Sequence, residues 1–224
     1  MAKEVKKTVT KVKIKKKLWF KIVSPTTFGG REVGESFLVS PETAIGRIVQ
    51  VNLKDLTGNV RDQNVYLNFQ IVKAQGAILH TVVVGYELTV AYVKRTVRKN
   101  TTRLDDYLEL KTKDGQKVIL KSLGITLHKV QRSVRTQIRR ELANYYQEEM
   151  SKVDFETFVV NLTNGRLLSA LKKKLHKLHP MKEIAVRALV LADRAIDAQA
   201  VSTMAAQKEE EQEPVSEALE VEQE

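Results

Sequence analysis

The sequence contains no cysteine among its 224 residues. A disulfide framework, a thiol nucleophile and a cysteine-ligated zinc site are therefore excluded, and folding needs no oxidising compartment. Long apolar segments are missing too, since no stretch approaches the roughly 18 apolar residues of a membrane-spanning helix. The apolar run at residues 18–23 contains Lys21 and is too short for a secretory signal. We therefore expect a cytoplasmic protein without a membrane partner.

Aromatic residues are scarce, and acidic residues are missing from one lysine-rich segment. Residues 6–20 hold seven lysines and no acid, and they end in the pair Trp19-Phe20. Residues 1–21 carry a net charge of +8, whereas residues 205–224, with eight glutamates and one lysine, carry −7. Without the acidic segment the chain would carry +18. Such a surplus is typical of proteins that bind polyanions, above all through phosphates.

The hydrophobic pattern changes along the chain and predicts an α+β fold, with a β-barrel-like antiparallel core followed by packed helices. Period-two alternation predominates first, and a helical period replaces it later. The predicted parts are a basic N-terminal arm (1–17), an RNA-binding α+β domain (18–195) that is strand-rich at 18–127 and helical at 128–179 with a returning strand at 183–192, and an acidic disordered tail (196–224).

Short runs of β-branched and aromatic residues, separated by Gly and Asn, predict the strands. The predicted strands cover residues 18–23, 35–40, 47–53, 65–72 and 78–93. A hairpin is expected at 107–123, because Asp114-Gly115 tolerates the positive φ of a tight turn.

Three helices are predicted after residue 127. The first begins at His128, and its apolar and arginine faces lie about opposite each other. Its apolar positions are Val130, Val134, Ile138, Leu142 and Tyr145, and its arginines are Arg132, Arg135 and Arg139. The second helix is expected to begin after Asp154 and to end at Asn164-Gly165. The third is expected at 166–178, before Pro180.

No pattern in the sequence supports a catalytic or nucleotide site. Gly29–Ser36 matches the spacing of a phosphate-binding loop, but Glu35 stands where that loop needs Lys and would repel phosphates. Asp105 and Asp106 are adjacent, so on a strand they point to opposite faces and cannot share a metal ion, and Arg103 is available to pair with one of them. We expect no catalytic residue, no cofactor and no small-molecule substrate.

Histidine supplies no metal site either. His176 and His179 are close enough on a helix to share a face, but no carboxylate nearby completes a ligand set. Neighbouring lysines would repel a cation. No metal site is therefore predicted.

The basic residues are the candidates for function. Lysines next to Trp19 and Phe20 combine cations with a possible stacking surface, as proteins that bind single-stranded RNA often do. Strand alternation places one of the two aromatics in the core, and we expect this to be Trp19. In the first helix, Arg132, Arg135, Arg139 and Arg140 have only Glu141 nearby as an opposing charge, so they should be free for phosphates. The predicted RNA-binding residues are Lys11, Lys13, Lys15, Lys16, Lys17, Lys21, Arg31, Arg47, Lys129, Arg132, Arg135, Arg139, Arg140 and Lys173.

An ordered series of motifs runs through the chain: Trp19-x5-Pro25-x2-Phe28-x2-Arg31-x2-Gly34, Gly46-Arg47 with Val51, Leu53 and Asp55-Leu56, Lys111-Thr112-x-Asp114-Gly115 with Gly124, Gln137-Ile138-Arg139-Arg140, and Pro180-x3-Ile184-x-Val186-Arg187. This series resembles the S3Ae (eS1) family of small-subunit ribosomal proteins from archaea and eukaryotes. The resemblance implies a β-rich, barrel-like core with packed helices. It also implies a structural role on the platform of the small subunit, near the messenger exit and the 3′ end of the ribosomal RNA, with no enzymatic activity.

The resemblance also implies the partners, namely small-subunit ribosomal RNA, neighbouring ribosomal proteins, and messenger RNA near the exit. Two departures from the family pattern stand out: Ala188 and Val190 replace lysines of the last motif, and the acidic tail lacks the long extensions of eukaryotic members. The tail therefore indicates an archaeal-type protein. A free-standing RNA-binding or regulatory protein outside the ribosome is the alternative, and an enzyme such as a nuclease is a third interpretation.

Overall fold

The structure, a computed structural model, describes residues 16–192, so most of the predicted basic arm and the whole predicted tail lie outside the described residues. The described part contains one sheet and five α-helices, which confirms the predicted α+β class. The strands are β1 (Leu18–Val23), β2 (Glu32–Leu38), β3 (Ile48–Asn52), β4 (Val65–Gln75), β5 (Ile78–Leu88), β6 (Arg103–Lys111), β7 (Lys117–Thr126) and β8 (Met181–Leu191). The helices are α1 (Leu53–Thr57), α2 (Val90–Thr96), α3 (Arg132–Lys152), α4 (Phe155–Thr163) and α5 (Arg166–His176), and short 3-10 helices cover Thr26–Phe28, Pro41–Ala44 and Val60–Asn64.

The sheet is open and branches at β5. Its longest path runs β2-β1-β5-β8-β7-β6, and β3 joins through β4, which also pairs with β5. One edge of β5 pairs with β4 along its length. The other edge pairs first with β1, in parallel, and then with β8, antiparallel, at residues 85–87. All the other strand pairs are antiparallel, as predicted.

Three helices, α3 to α5, pack on one face of the sheet and close the largest core. In α3 the buried residues recur every four positions, so they form a single stripe along the helix. They are Ile138, Leu142, Tyr146 and Met150. In α5 a matching stripe of leucines is buried, and both stripes join strand residues such as Leu104 and Leu120 in one apolar cluster. Packing of these faces therefore positions both helices on the sheet.

Two smaller clusters complete the interior. One lies beneath β1 and β2, where Phe20 and Ile22 pack with Leu38. Phe20 is 5% exposed, whereas Trp19 is 63% exposed. The prediction that Trp19 belongs to the core is therefore wrong, because the alternation of β1 places Phe20 and Ile22 inward and Trp19 and Lys21 outward. The other cluster lies under α2 and includes Val93 and Ile125.

Strand β5 ends earlier than the pattern predicts. Its predicted extension to residue 93 is wrong, because residues 90–96 form α2. Val90, Tyr92 and Val93 favour a strand, but in the helix Val93 is buried in the cluster with Leu123 and Ile125. Side chains from β8 hold α2 in place, since Lys182 Nζ donates to the Thr96 carbonyl at 2.9 Å and the Tyr92 hydroxyl donates to Glu183.

Helix α3 begins four residues later than predicted. The backbone N–H of Leu127 donates to the Pro180 carbonyl at 3.1 Å, and that of Val130 donates to Thr102 Oγ1 at 3.1 Å. These bonds hold residues 127–130 against other segments, so the helix starts at Arg132 and Val130 is not part of it.

The β6–β7 hairpin is longer than predicted, and its turn contains Gly115 at φ +77° as expected. Helix α5 ends at His176, and β8 confirms the returning strand.

Candidate RNA-binding surface

Arginines cover the solvent side of α3. Since Ile138 and the other buried residues face the sheet, Arg132, Arg135 and Arg140 lie exposed on the remaining surface. Within residues 16–192 none of these three arginines forms an ion pair. They are therefore free to bind anions, and the planar guanidinium suits phosphate in particular.

The beginning of α3 concentrates positive charge. Arg132 and Arg135 lie in its first turn, which contains no acidic residue, and Lys129 lies three residues before Arg132. The N-cap residue, Gln131, makes no side-chain capping bond. Cations are unfavourable at the positive end of a helix dipole, so this arrangement stabilises the helix poorly. It is well suited to a phosphate, which would interact with the dipole and with all three side chains.

Arg139 differs from its neighbours on the helix. Its Nε lies 2.9 Å from Asp106 Oδ1 of β6, so the expectation that only Glu141 opposes these arginines is wrong. The Asp106 side chain is 13% exposed, and its burial raises its pKa above the usual value. The positive charge of Arg139 lowers this pKa, and the negative charge of Asp105 raises it further. Glu141 pairs instead with Lys174 at 3.4 Å. Arg139 thus joins α3 to the sheet, and its contact with RNA remains a prediction.

The lysines at the start of β1 form a second basic group. Lys16 and Lys17 are exposed, and Lys17 Nζ lies 5.8 Å from the centroid of the Phe37 ring on β2. Lys21 binds Glu32 at 3.0 Å, and this hydrogen bond and ion pair raise its pKa. Lys21 is therefore partly neutralised, whereas Lys16 and Lys17 are not ion-paired within the described residues. The predicted contacts at Lys11, Lys13 and Lys15 lie outside those residues.

The remaining predicted residues differ in how far they are engaged. Arg31 Nη1 donates to the Leu56 carbonyl at 2.6 Å, so this arginine also holds the last turn of α1. Arg47 is exposed just before β3 and has no ion pair in the described part of the chain. In α5, Lys172 donates to the Lys182 carbonyl and Lys174 pairs with Glu141. Of these three neighbouring lysines, only Lys173 has no such partner within residues 16–192.

The structure does not bring all these cations together in one patch. β1 lies near one end of the sheet, next to the edge strand β2, whereas α3 packs on β6 at the other end. The Lys16–Lys17 group and the α3 arginines are therefore separated by the strands β5, β8 and β7. A small anion cannot contact both groups, but an extended or folded polyanion can.

The two adjacent aspartates of β6 each form an ion pair. Asp105 pairs with Arg103 at 2.7 Å, as expected, while Asp106 points to the helix side and pairs with Arg139. No group of three or more histidine or acidic side chains in residues 16–192 could hold a metal ion. The two aspartates line a cavity of about 290 Å³, and Lys121 and Arg187 line it as well. None of the helices in this range is long and apolar enough to cross a membrane.

Sequence reasoning missed one residue of this surface, Phe37. Its ring lies 4.8 Å from that of Trp19, centroid to centroid, because β1 and β2 pair in a register that places the two residues opposite each other. The alternation of residues 35–40 could have identified Phe37 as an outward residue. Its cross-strand partner depends on the register, which the sequence does not specify.

The fold and the exposed cations describe a basic α+β protein, and its surplus positive charge is typical of the class of proteins that bind polyanions. A family model described as the Ribosomal S3Ae family matches residues 4–194, and the chain belongs to that family. The proteins that it resembles include one named small ribosomal subunit protein eS1 from Sulfurisphaera tokodaii, which is 32% identical over 80% of this chain and 93% of that protein. The protein of the same name from Methanothermobacter thermautotrophicus is 30% identical over 77% of this chain and 88% of its own length.

Proposed function

We propose that this protein is a structural component of the small ribosomal subunit and binds ribosomal RNA through phosphate contacts on cytoplasmic ribosomes. The observation that carries the proposal is the family match, which covers residues 4–194, together with archaeal relatives named as small-subunit proteins. The exposed arginines of α3 and the lysines before β1 supply the phosphate-binding groups. The protein needs no cofactor for this role and has no enzymatic activity.

The separation of the two basic groups supports a scaffolding role. Contacts at both ends of the sheet would hold two RNA segments in a fixed arrangement, since phosphate contacts position a protein without reading sequence. In this role the protein would lie on the platform of the small subunit, near the messenger exit and the 3′ end of the ribosomal RNA, as its resemblance to the family implies. Neighbouring ribosomal proteins, and messenger RNA at the exit, are its further partners there.

Assembly with small subunits tests the proposal. The tagged protein should cosediment with small subunits through a sucrose gradient at high salt, whereas a free-standing RNA-binding protein would dissociate and remain at the top. Changing Arg132, Arg135 and Arg140 to Gln removes three unpaired cations, so the variant should enter subunits less efficiently and bind unrelated RNA sequences with a similarly reduced affinity.

A charge-matched control separates specific contacts from net charge. Changing Arg95, Arg103 and Lys152 to Gln removes the same charge, but these side chains are engaged with Asn64, Asp105 and Glu149. This control should assemble like the parent. Equal behaviour of the two triple variants would show that the α3 arginines have no special role, and absence of the parent protein from subunits would refute the proposed function.

A further inference from the structure

An aromatic pair lies open to solvent on the outer face of the β1–β2 hairpin. Trp19 is 63% exposed and Phe37 is 48% exposed, although each carries a large apolar ring. The rings are 4.8 Å apart, centroid to centroid, with their planes inclined by 36°. Burial of such rings is favourable, so leaving two of them side by side in water forgoes stabilisation that the fold could have gained.

Strand pairing holds the two rings in place. Trp19 and Phe37 are partners in the antiparallel register of β1 and β2, and Lys21 and Glu35 are the next pair on the same face. Behind the aromatic pair, Phe20 and Leu38 are buried in the small core. The pair therefore has a rigid backbone beneath it, and its position does not depend on a loop.

The charge around the aromatic pair is one-sided. Lys17 Nζ lies 5.8 Å from the centroid of Phe37, and Lys16 is exposed next to it. In the sequence, residues 6–15 precede these lysines and contain five more. At the other end of the hairpin face, Lys21 is paired with Glu32. A ligand on the rings would thus meet unneutralised positive charge on the side of Lys16 and Lys17.

We propose that Trp19 and Phe37 form a stacking site for an unpaired base of ribosomal RNA, while Lys16 and Lys17 bind the phosphates beside that base. The inference rests on the proposed function and assigns a particular RNA contact to it. Every base presents a flat π surface that stacks on aromatic side chains, and stacking combined with nearby cations is how proteins hold single strands. An apolar surface of a neighbouring protein would match the rings but not the lysines, so the charge favours RNA.

The fluorescence of the protein offers a direct test, because Trp19 is the only tryptophan in the chain. A single-stranded oligoadenylate should quench this fluorescence as it binds, since the base would lie against the indole ring. Heparin, a polyanion without bases, should bind to the same lysines with little quenching. Oligoadenylate that binds with a normal salt dependence but leaves the emission unchanged would overturn the stacking site and leave the proposed function standing. Failure of both polyanions to bind would refute both.

Affinity measurements on variants provide the second test. Trp19→Ala should weaken the binding of labelled oligoadenylate by about fivefold or more, the lower range of what stacking on one base contributes, and should leave heparin binding unchanged. Trp19→Phe should restore most of the lost affinity. The matched control is Tyr107→Ala, which removes another exposed aromatic residue, from β6, and should change neither affinity. Equal losses for oligoadenylate and heparin in Trp19→Ala would overturn the proposal, as would a map of the subunit in which a protein side chain covers Trp19.

Discussion

Gly85 occupies the point where β4, β5 and β8 meet. It pairs with Asn68 of β4 on one side and with Val190 of β8 on the other. A Cβ atom added at Gly85 would lie 3.1 Å from the Leu189 carbonyl oxygen and 3.3 Å from Asn68 Nδ2. The carbonyl belongs to a strand in the sheet, so it has little freedom to move. The absence of a side chain here permits the close approach of β8.

We predict that Gly85→Ala destabilises the protein by about 1–3 kcal/mol, the usual cost of overpacking an interior site. Urea unfolding would measure the change. Gly34→Ala is the matched control, because Gly34 also lies in a strand, has no positive φ, and has no atom within 4 Å of an added Cβ. The free energy of unfolding of this control should stay within about 0.5 kcal/mol of that of the parent. Similar losses in the two variants would contradict the role assigned to Gly85.

The Asp106–Arg139 pair should make stability depend on pH. Burial raises the pKa of Asp106 and Arg139 lowers it, so Arg139→Gln should raise that pKa further. A carboxyl group whose pKa is higher in the folded protein contributes stability below its unfolded pKa and loses it as pH rises through the folded pKa. The Arg139→Gln variant should therefore lose more stability than the parent as pH rises above about 4.

Urea unfolding at a series of pH values would measure this difference. Adding Asp106→Asn to the Arg139→Gln variant removes the titrating group, so the extra pH dependence should disappear in the double variant. If the single variant and the parent lose stability in parallel as pH rises, Arg139 does not lower the pKa of Asp106 in the folded protein.

This pair also shows which contacts between single residues can be predicted from the sequence and which cannot. Arg103 and Asp105 are two positions apart on one strand, so their pairing could be predicted. Arg139 and Asp106 are far apart in sequence and meet because α3 packs on β6. Likewise, alternation predicts that one of Trp19 and Phe20 is buried, but which one depends on the face that the rest of the sheet covers.

At the scale of elements, α3 carries positive charge at the wrong end for its own stability. Arg132 and Arg135 lie in the first turn, where they oppose the helix dipole. Changing both to Gln should therefore stabilise the folded protein slightly, by about 0.3–1 kcal/mol per charge at low ionic strength, while RNA binding weakens. Thermal unfolding at low and at high salt would measure the gain, which salt should screen.

Lys152, in the last turn of the same helix, provides the opposite case. There a cation interacts favourably with the dipole and with Glu149, so Lys152→Gln should reduce stability by a few tenths of a kcal/mol. A loss of stability in the Arg132→Gln/Arg135→Gln variant, or a gain in Lys152→Gln, would contradict the electrostatic argument.

Sequence patterns predict the elements well where the period is long and regular. The helical period predicts α3 with Ile138 and Leu142 buried, although Tyr146 is buried where Tyr145 is expected. In residues 183–192 Val and Ile favour a strand and the alanines favour a helix, and the expected returning strand is confirmed by β8. The valines of α2 also favour a strand locally, but there they predict the wrong element. The helix forms because tertiary contacts to β8 and to the cluster around Val93 outweigh that preference. Helix ends are harder to predict, since bonds to other segments set the start of α3.

At the scale of the whole molecule, charge is distributed unevenly along the chain. Deleting residues 2–15 removes six lysines, so RNA binding should weaken. The slope of log K against log salt concentration should also become shallower, by about 0.7 for each phosphate of a single strand that is no longer neutralised. Fluorescence anisotropy at several salt concentrations would measure the slope. The stability of the protein should not change, because the core described above is built from later residues.

Deletion of residues 205–224 is the complementary control, since it removes a net charge of −7. This variant should bind RNA more tightly, as the remaining chain repels the polyanion less. An unchanged salt slope after the N-terminal deletion would show that the basic segment does not contact phosphates.

The position of β8 in the sheet has a consequence for how the protein folds during synthesis. β1 to β5 pair among themselves, and β6 pairs with β7, so these two groups of strands can form as the ribosome releases them. They become one sheet only when β8, which follows three helices, pairs with both β5 and β7. Until then the edges of β5 and β7 are open to pairing with another chain, and the contacts that close the sheet span about a hundred residues, which slows folding. A nascent chain that stalls before residue 181 is therefore prone to aggregate, because both edges stay open until β8 is made.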